Sequence, residues 1–370
     1  MTQNPHALIA RWTDELAGVR TIDWARLEGG RLLLTGCTGP FGLWILNRIS
    51  RACEREGLEL AETTLVTRHA AAAAPWLNLL SPRCRLRIVE CDIRQIDAFK
   101  LDPTHVIHGA TTTARETSAG ASPEAKFETV VDGTRALLRS LGDRRPLKLL
   151  YLSSGIVYGT SNWAHLNEAD LIAPSTLDSG AGLAQAKRTA EFLLASHTER
   201  TGGTLTVARC FSFSGPGMPL DLHYALGNFI LQAQSGQDIV IRGDGQDVRS
   251  YLHLGDMALW VLTMLTHAVE PYTKQLFNVG SDKRVTIEQL AALVAQRVNP
   301  NAAVRVLGEK NINRSGNFNP LYVPSIQKAR THLNLDAWTD LADSIDQMNL
   351  FSHPKTACSP YFQRINGIYL

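Results

Sequence analysis

Leu8, Ile9, Trp12, Leu16 and Val19 fall on one stripe at helical spacing, so residues 7–19 predict an amphipathic helix packed on the rest of the chain. Beyond the Gly29-Gly30 break the period changes. Arg31–Thr35 (RLLLT) predicts a short buried strand, followed by a glycine-rich turn and a helix over residues 40–56. Further strands are predicted at Thr63–Thr67 (TTLVT), Arg85–Cys91 (RLRIVEC), His105–His108 (HVIH), Leu147–Ser153 (LKLLYLS) and Leu205–Cys210 (LTVARC), with helices over 122–141 and 183–200 among them. Strands alternating with helices at this spacing imply a parallel sheet covered on both faces. From about residue 211 the alternation loosens into loops broken by glycine and proline, with helices near 221–235 and 286–298. A smaller lobe threaded through the C-terminal half gives that texture. Residues beyond His353 mix Pro, Ser, Asn and aromatics and predict no element.

Composition narrows the class. At 370 residues and 44% hydrophobic the chain has ample material for a buried core, which excludes disorder and fibrous folds. Its 37 basic and 35 acidic residues leave a net charge of +2, so no field points to nucleic acid or an anionic membrane. The most apolar run, Met257–Leu265, is about half the ~18 residues that a membrane span needs and predicts a buried helix. The N-terminal MTQNPHALIARWTDEL carries polar and acidic residues where a signal peptide needs an apolar core, so a cytoplasmic protein is expected. Cys37, Cys53, Cys84, Cys91, Cys210 and Cys358 form no CxxC pair and no ligand-like spacing with His. Free thiols are expected, and no metal site.

The chemistry begins at Thr35-Gly36-Cys37-Thr38-Gly39-Pro40-Phe41-Gly42, directly after the first strand and opening the first helix. Gly36 allows the tight turn, Gly39 lets backbone approach a pyrophosphate, and Gly42 lets the helix sit close on the strand. The phosphates then meet free N–H groups at a helix N-terminus. Pro40 fits the first helical turn, where no N–H bond is lost. The second strand ends Leu65-Val66-Thr67-Arg68, without the carboxylate that would accept the adenosine ribose hydroxyls. Arg68 is either a clamp for a 2′-phosphate, which favours NADP over NAD, or an ordinary surface arginine. Asp92 either meets the adenine edge or caps a helix.

These motifs do not stand alone. TGCTGPFG, CDI at 91–93, HGATTTA at 108–114, SSGIVYG at 153–159, Lys187 in LAQAKRTAE, RCFSFSGPG at 209–217 and RSYLHLGDMA at 249–258 follow one another along the chain. As a set, from about residue 30 to 300, they resemble the extended short-chain dehydrogenases/reductases, in the NAD-dependent epimerase/dehydratase branch that acts on nucleotide sugars. The resemblance implies an α/β fold, a Rossmann-type doubly wound parallel sheet with a smaller C-terminal α+β substrate lobe. Residues 1–28 would be a helical extension, 29–210 the dinucleotide-binding domain with returns from about 236–280, and 211–370 the substrate lobe. It implies that Gly36, Thr38, Gly39, Phe41, Gly42, Arg68, Asp92, Ile93, Ala110 and Lys187 bind NADP or NAD. A homodimer is implied as well, with the helices at 122–141 and 183–200 pairing across a two-fold axis as a four-helix bundle.

Family catalysis uses a Ser or Thr four residues before the tyrosine of VYG, and a Tyr-x-x-x-Lys pair on the next helix. Ser154 holds the first position by its spacing from Tyr158, and Lys187 holds the lysine. The tyrosine is missing. Leu183 stands in its place, and no Tyr occurs between Gly159 and His223. Candidate substitutes are Thr111, Thr112 or Thr113 after the fourth strand, and Glu168, whose bland alternative is a solvated loop carboxylate. A second departure is Gly155-Ile156, where the family's 4,6-dehydratases have an Asp-Glu pair, so an ordinary 4,6-dehydratase is not expected.

On the substrate side the resemblance implies that Arg249 clamps a diphosphate through its bidentate fork and that Asn228 assists through its amide, against a structural ion pair and a helix-surface Asn. Ser154 would hold the sugar oxygen. The expected function is a nucleotide-sugar epimerase/dehydratase-type oxidoreductase that moves a hydride transiently between a nucleoside-diphosphate sugar and bound NAD(P), with a non-standard acid/base. The alternative is a catalytically degenerate dinucleotide binder acting as a partner or regulatory subunit.

Overall fold

The computed structural model describes residues 5–19, 22–78, 80–143, 147–161, 165–222, 224–308 and 321–352. Strands β1 (Arg31–Thr35), β2 (Glu62–Thr67), β3 (Leu86–Glu90), β4 (His105–His108), β5 (Lys148–Ser154) and β6 (Thr204–Cys210) join a last strand, Lys274–Val279, in one seven-stranded parallel sheet. Their order is Lys274–Val279, β6, β5, β4, β1, β2, β3. The order reverses beside β1, and at such a switch point the strand ends open a crevice. Thr35 pairs with His108 and His108 with Tyr151, so β1 and β4 end level, while β5 and β6 run three residues further and end level with each other at Ser154 and Cys210.

The helices run α1 (Pro5–Ala17), α2 (Pro40–Arg55), α3 (Ala70–Leu77), α4 (Ala114–Ser118), α5 (Pro123–Leu141), α6 (Gly182–Thr201), α7 (Ala225–Gln234), α8 (Leu254–Thr266), α9 (Ile287–Val298), α10 (Gln327–Leu333) and α11 (Leu341–Ser352). One sheet face is covered by α2 and α8, whose Trp44 and Trp260 are buried, and α1 lies on these two through Leu8, Ile9 and Trp12. The other face is covered by α5 and α6, through Val130, Leu137, Ala186 and Leu194. A separate apolar cluster around Phe229, Ile230, Leu290 and Ile345 holds α7, α9 and α11 together.

Sequence periodicity and structure agree closely in the first half, and all six expected strands are present. The expected N-terminal stripe ends early: α1 stops at Ala17, Gly18 follows, and Val19 is exposed instead of packed. The helix expected near 221–235 starts only at Ala225. Strand Lys274–Val279 and helices α10 and α11 carry no periodicity that announces them. Met257–Leu265 does lie in a fully buried helix, α8, and among the described residues no helix is long and apolar enough to cross a membrane. Cys358 and the segment beyond Ser352 lie outside the described residues.

Candidate active site

The strand ends open on a cleft of about 440 Å³ that runs from the tip of β3 to the tip of β6. Its floor is the turn after β1. Gly36 has φ of 68°, and a Cβ there would fall 2.4 Å from the backbone of Gly109, so neither the conformation nor the space admits a side chain. A Cβ on Gly42 would lie 1.6 Å from the Cys37 carbonyl oxygen, and only glycine lets α2 close on this turn. Gly39 caps α2, Pro40 opens it, and Thr38, Gly39 and Phe41 line the cleft. Phe41 sits edge-on to Phe213, with ring centroids 4.8 Å apart. This is a glycine cradle beneath a helix N-terminus, the arrangement that suits a pyrophosphate.

At the β2–β3 end Asp92 takes the expected capping role and also stands on the cleft wall. It lines the cleft, caps the short helix Ile93–Ala98 by accepting from the Arg94 N–H at 2.9 Å, and pairs with the Arg94 side chain, which holds its carboxyl below the usual range. Ile93 is buried and lines the cleft beside it. Arg68 also lines the cleft, yet it is not the unengaged guanidinium that a waiting phosphate clamp requires. Glu116 of α4 takes it in a bidentate pair, at 2.6 and 3.1 Å. Burial raises the Glu116 pKa, but Arg68 and Thr113 outweigh it and bring the group down to about 2. Sequence spacing could not show this partner, because it sits 48 positions away on another element.

Ala110, Thr111, Thr112 and Thr113 form the wall after β4. Thr113 caps α4 in a capping box with Glu116. The hydroxyls of Thr111 and Thr112 are buried without a hydrogen-bond partner among the described residues, which is costly unless something entering the cleft satisfies them.

Ser154, Leu183 and Lys187 meet at the β5 end of the cleft, alongside Cys210 and Phe211. Lys187 Nζ donates to the Leu152 carbonyl at 2.8 Å and lies 4.9 Å over the Tyr151 ring. Burial brings its pKa down to about 8. Behind it His108 is held between Thr35 and Thr134, at 2.7 and 3.0 Å, and burial lowers it to about 3, so it is neutral packing. Burial pushes the Cys210 thiol up to about 12, which leaves it unreactive. Leu183 offers only methyl groups to the space beside Lys187.

Three expected site residues stand elsewhere. Glu168 is not on the cleft wall; its carboxylate accepts from the Asn278 N–H at 2.8 Å and ties its loop to the last strand. That is a structural task, and it removes Glu168 as the substitute acid. Asn228 uses its amide to donate to the Leu222 carbonyl at 2.7 Å, pinning α7 to the preceding loop. Arg249 donates to the Val248 carbonyl at 2.9 Å, faces Asp247 at 3.6 Å and is not among the residues that line the cleft. Its neighbour in the sheet is Tyr322, paired with it in register. Tyr322 belongs to no motif of the sequence, yet its ring packs on Phe211, with centroids 4.7 Å apart, and its hydroxyl stands beside Gly155.

Residues 32–280 match the NAD dependent epimerase/dehydratase family. Among curated relatives, UDP-glucuronic acid decarboxylase 1 of Xenopus tropicalis is 26% identical over 235 residues, covering 61% of this chain and 51% of that protein. UDP-glucuronic acid decarboxylase 3 of Arabidopsis thaliana is 27% identical over 194 residues, 50% of this chain and 53% of that protein. The chain thus spans about half the length of the curated relatives it matches. Among solved structures, UDP-glucuronic acid 4-epimerase from Bacillus cereus, in complex with UDP-glucuronic acid and NAD, superimposes with a TM-score of 0.71 at 18% identity, over 92% of this chain and 100% of that one. The dTDP-glucose 4,6-dehydratase from Streptomyces venezuelae, with NAD bound, gives 0.71 at 19% identity, over 88% and 97%. These likenesses establish the fold.

Proposed function

The chain belongs to the NAD dependent epimerase/dehydratase family, and from that premise we propose that it is a nucleotide-sugar-modifying enzyme with an altered hydroxyl set around the sugar. The observation that carries this reading is the convergence of Ser154 and the buried Lys187 on one cleft with the glycine cradle. A scaffold protein has no physical need for a lysine held this far from water.

The cradle and the unsatisfied Thr111 and Thr112 hydroxyls fit a dinucleotide, with Thr38, Gly39 and Phe41 at the pyrophosphate, Asp92 and Ile93 at the adenosine, and Ala110, Thr112 and Lys187 at the nicotinamide half. Bound NAD supplies a reversible hydride acceptor. The chain's part is to orient the sugar hydroxyl: Ser154 Oγ holds it, and Lys187 keeps a donor beside it. Arg249 is kept as the proposed diphosphate contact, because it pairs in register with Tyr322, whose hydroxyl stands beside Gly155, next to Ser154. Asn228, occupied with Leu222, is left out. A Cβ at position 155 would fall 2.6 Å from the Tyr322 hydroxyl, so the site has no room for a dehydratase carboxylate there. That favours epimerase-like or decarboxylase-like chemistry over 4,6-dehydration.

The test is a panel of UDP-glucuronic acid, UDP-glucose, UDP-N-acetylglucosamine and dTDP-glucose with NAD, followed by nicotinamide absorbance and product chromatography. Turnover of any of them is expected. Tight NAD binding with no turnover across the panel would establish the degenerate binder instead.

Cofactor choice follows from Arg68. Occupied by Glu116, it presents an overall neutral pair, and the Glu116 carboxylate repels a 2′-phosphate; we therefore propose NAD over NADP. Glu116→Gln keeps the capping box but releases the charge. It is expected to raise NADP affinity relative to NAD by about ten- to a hundredfold, the worth of one charge-assisted contact. Titrating both cofactors against wild type and variant decides it, and a wild type that already prefers NADP would reinstate the phosphate clamp.

For assembly, the proposed dimer pairs α5 and α6 with their copies. Each leaves a phenylalanine in water, Phe127 36% and Phe192 69% exposed. Phe192→Glu is expected to yield monomers in sedimentation experiments, and an unchanged dimer would place the interface elsewhere.

A further inference from the structure

Ser154 stands on a strand tip that the sheet holds from one edge only. β4 ends at His108, opposite Tyr151, so residues 152–154 of β5 pair with β6 alone. Two side chains of α6, one turn apart, take hold of consecutive residues of this overhang. Lys187 Nζ donates to the Leu152 carbonyl at 2.8 Å, and the Ser153 hydroxyl donates to Glu191 Oε1 at 2.5 Å. Glu191 is itself fixed. Arg209 of β6, the register partner of Ser153, gives its carboxylate two hydrogen bonds, at 3.1 and 2.8 Å. The Arg209 and Glu191 side chains are nearly out of water, 11% and 15% exposed. The guanidinium rests 4.7 Å over the Tyr158 ring, whose hydroxyl donates to Asn278 Oδ1 at 2.8 Å. Ser153 lines the cleft, whereas Glu191 and Arg209 are not among the residues that do.

We propose that Glu191 is a positioning residue of the site: through the Ser153 hydroxyl it holds the tip of β5, and with it Ser154, in fixed register with Lys187. The inference rests on the enzyme reading above. Lys187 and Glu191 are four positions apart and so share one face of α6. The bond from Ser153 to Glu191 therefore sets where the strand tip lies along the helix, and Ser154, the next residue, is carried with it. A hydrogen bond to a carboxylate is stronger than one to a neutral acceptor, and exclusion of water strengthens it further. Arg209 supplies the counter-charge without which the carboxylate would be costly to keep so far from water. Glu191 moves no proton in this reading, since Ser153 and the guanidinium fork occupy it and it lies off the cleft wall. Its work is geometric. A displacement of about 1 Å at a reacting group can cost roughly a hundredfold in rate.

The test is a double-mutant cycle on the NAD-loaded protein, with Ser153→Ala, Glu191→Ala and the double variant. Turnover is assayed on the best substrate of the four-sugar panel. Calorimetry gives the affinities for NAD and for that nucleotide sugar, and a thermal melt gives the stability. Ser153→Ala leaves the Glu191–Arg209 pair intact, and it is expected to lower kcat about ten- to a hundredfold, the worth of a hydrogen bond to a charged group. Both affinities should stay within about threefold. Adding Glu191→Ala to Ser153→Ala should lower the melt, because Arg209 is left unpaired, but change kcat by less than about threefold. Where Glu191→Ala does not fold, Glu191→Gln, which keeps the volume, takes its place in the cycle. An active wild type with Ser153→Ala at its full rate overturns the proposal alone. So does a second, independent kcat loss in the Ser153→Ala background, which marks a structural role through Arg209. A Ser153→Ala variant that loses NAD affinity instead of rate makes the serine a cofactor contact and overturns it as well. A wild type that binds NAD but acts on no sugar of the panel overturns the enzyme reading and the proposal with it.

Discussion

Gly39→Val is expected to lower dinucleotide affinity by more than about a hundredfold while leaving the fold intact. Gly39 has φ of −90° and ψ of −162°, an extended conformation open to any residue, so valine introduces no backbone strain. It lines the cleft at the cap of α2, where the first N–H groups of the helix have no internal acceptor. A branched side chain there would stand between those donors and a pyrophosphate. The anion would lose its closest hydrogen bonds and the helix dipole together. The same change at Gly42 would read differently, because the Cys37 carbonyl bars a Cβ and the helix itself would have to move. Calorimetric titration with NAD, beside a thermal melt, separates the two effects. Undiminished affinity in a folded Gly39→Val protein would put the dinucleotide somewhere other than this turn.

The cradle was legible because everything it needs is local. Strand RLLLT, three glycines and a proline at the first helical turn are consecutive, and their meaning depends only on one another. Ser154 and Lys187 were legible for a related reason: each lies on a strong element, the first at the end of β5 and the second in the early turns of α6. What escaped depends on contacts between distant segments. Arg68 gives no sign of Glu116, and Glu168 none of Asn278, which lies 110 positions on. Tyr322 reaches Gly155 from a two-residue strand that exists only because Val248–Arg249 is there to pair with it. The edge strand Lys274–Val279 opens with two polar residues and has a neighbour only on one side, so its apolar signal is short.

Lys187→Met should make the protein more stable and less active at once. The ammonium is buried beside Leu183 with a single carbonyl acceptor among the described residues, and its pKa falls from 10.5 to about 8. The sign follows from proton counting. Between pH 8 and 10.5 the unfolded chain keeps the proton that the folded chain has shed, so stability rises with pH across that window. Below pH 8 both states are charged and folding bears the full penalty of burying the charge, about 3 kcal/mol for a shift of this size. Methionine has nearly the same length and no charge. Its lost hydrogen bond to Leu152 takes back about 1 kcal/mol, leaving a net gain of about 2 kcal/mol at pH 7. The variant's stability should also lose the rise between pH 8 and 10.5. Turnover, by contrast, should fall by about a hundred- to ten-thousandfold, the usual range for a group that assists proton movement or holds the reacting partner. A protein rarely keeps a destabilising buried charge without a use for it. A Lys187→Met variant that melts lower than wild type at pH 7 and keeps its rate would mean that the lysine serves the fold, and the cleft would lose its strongest mark of catalysis.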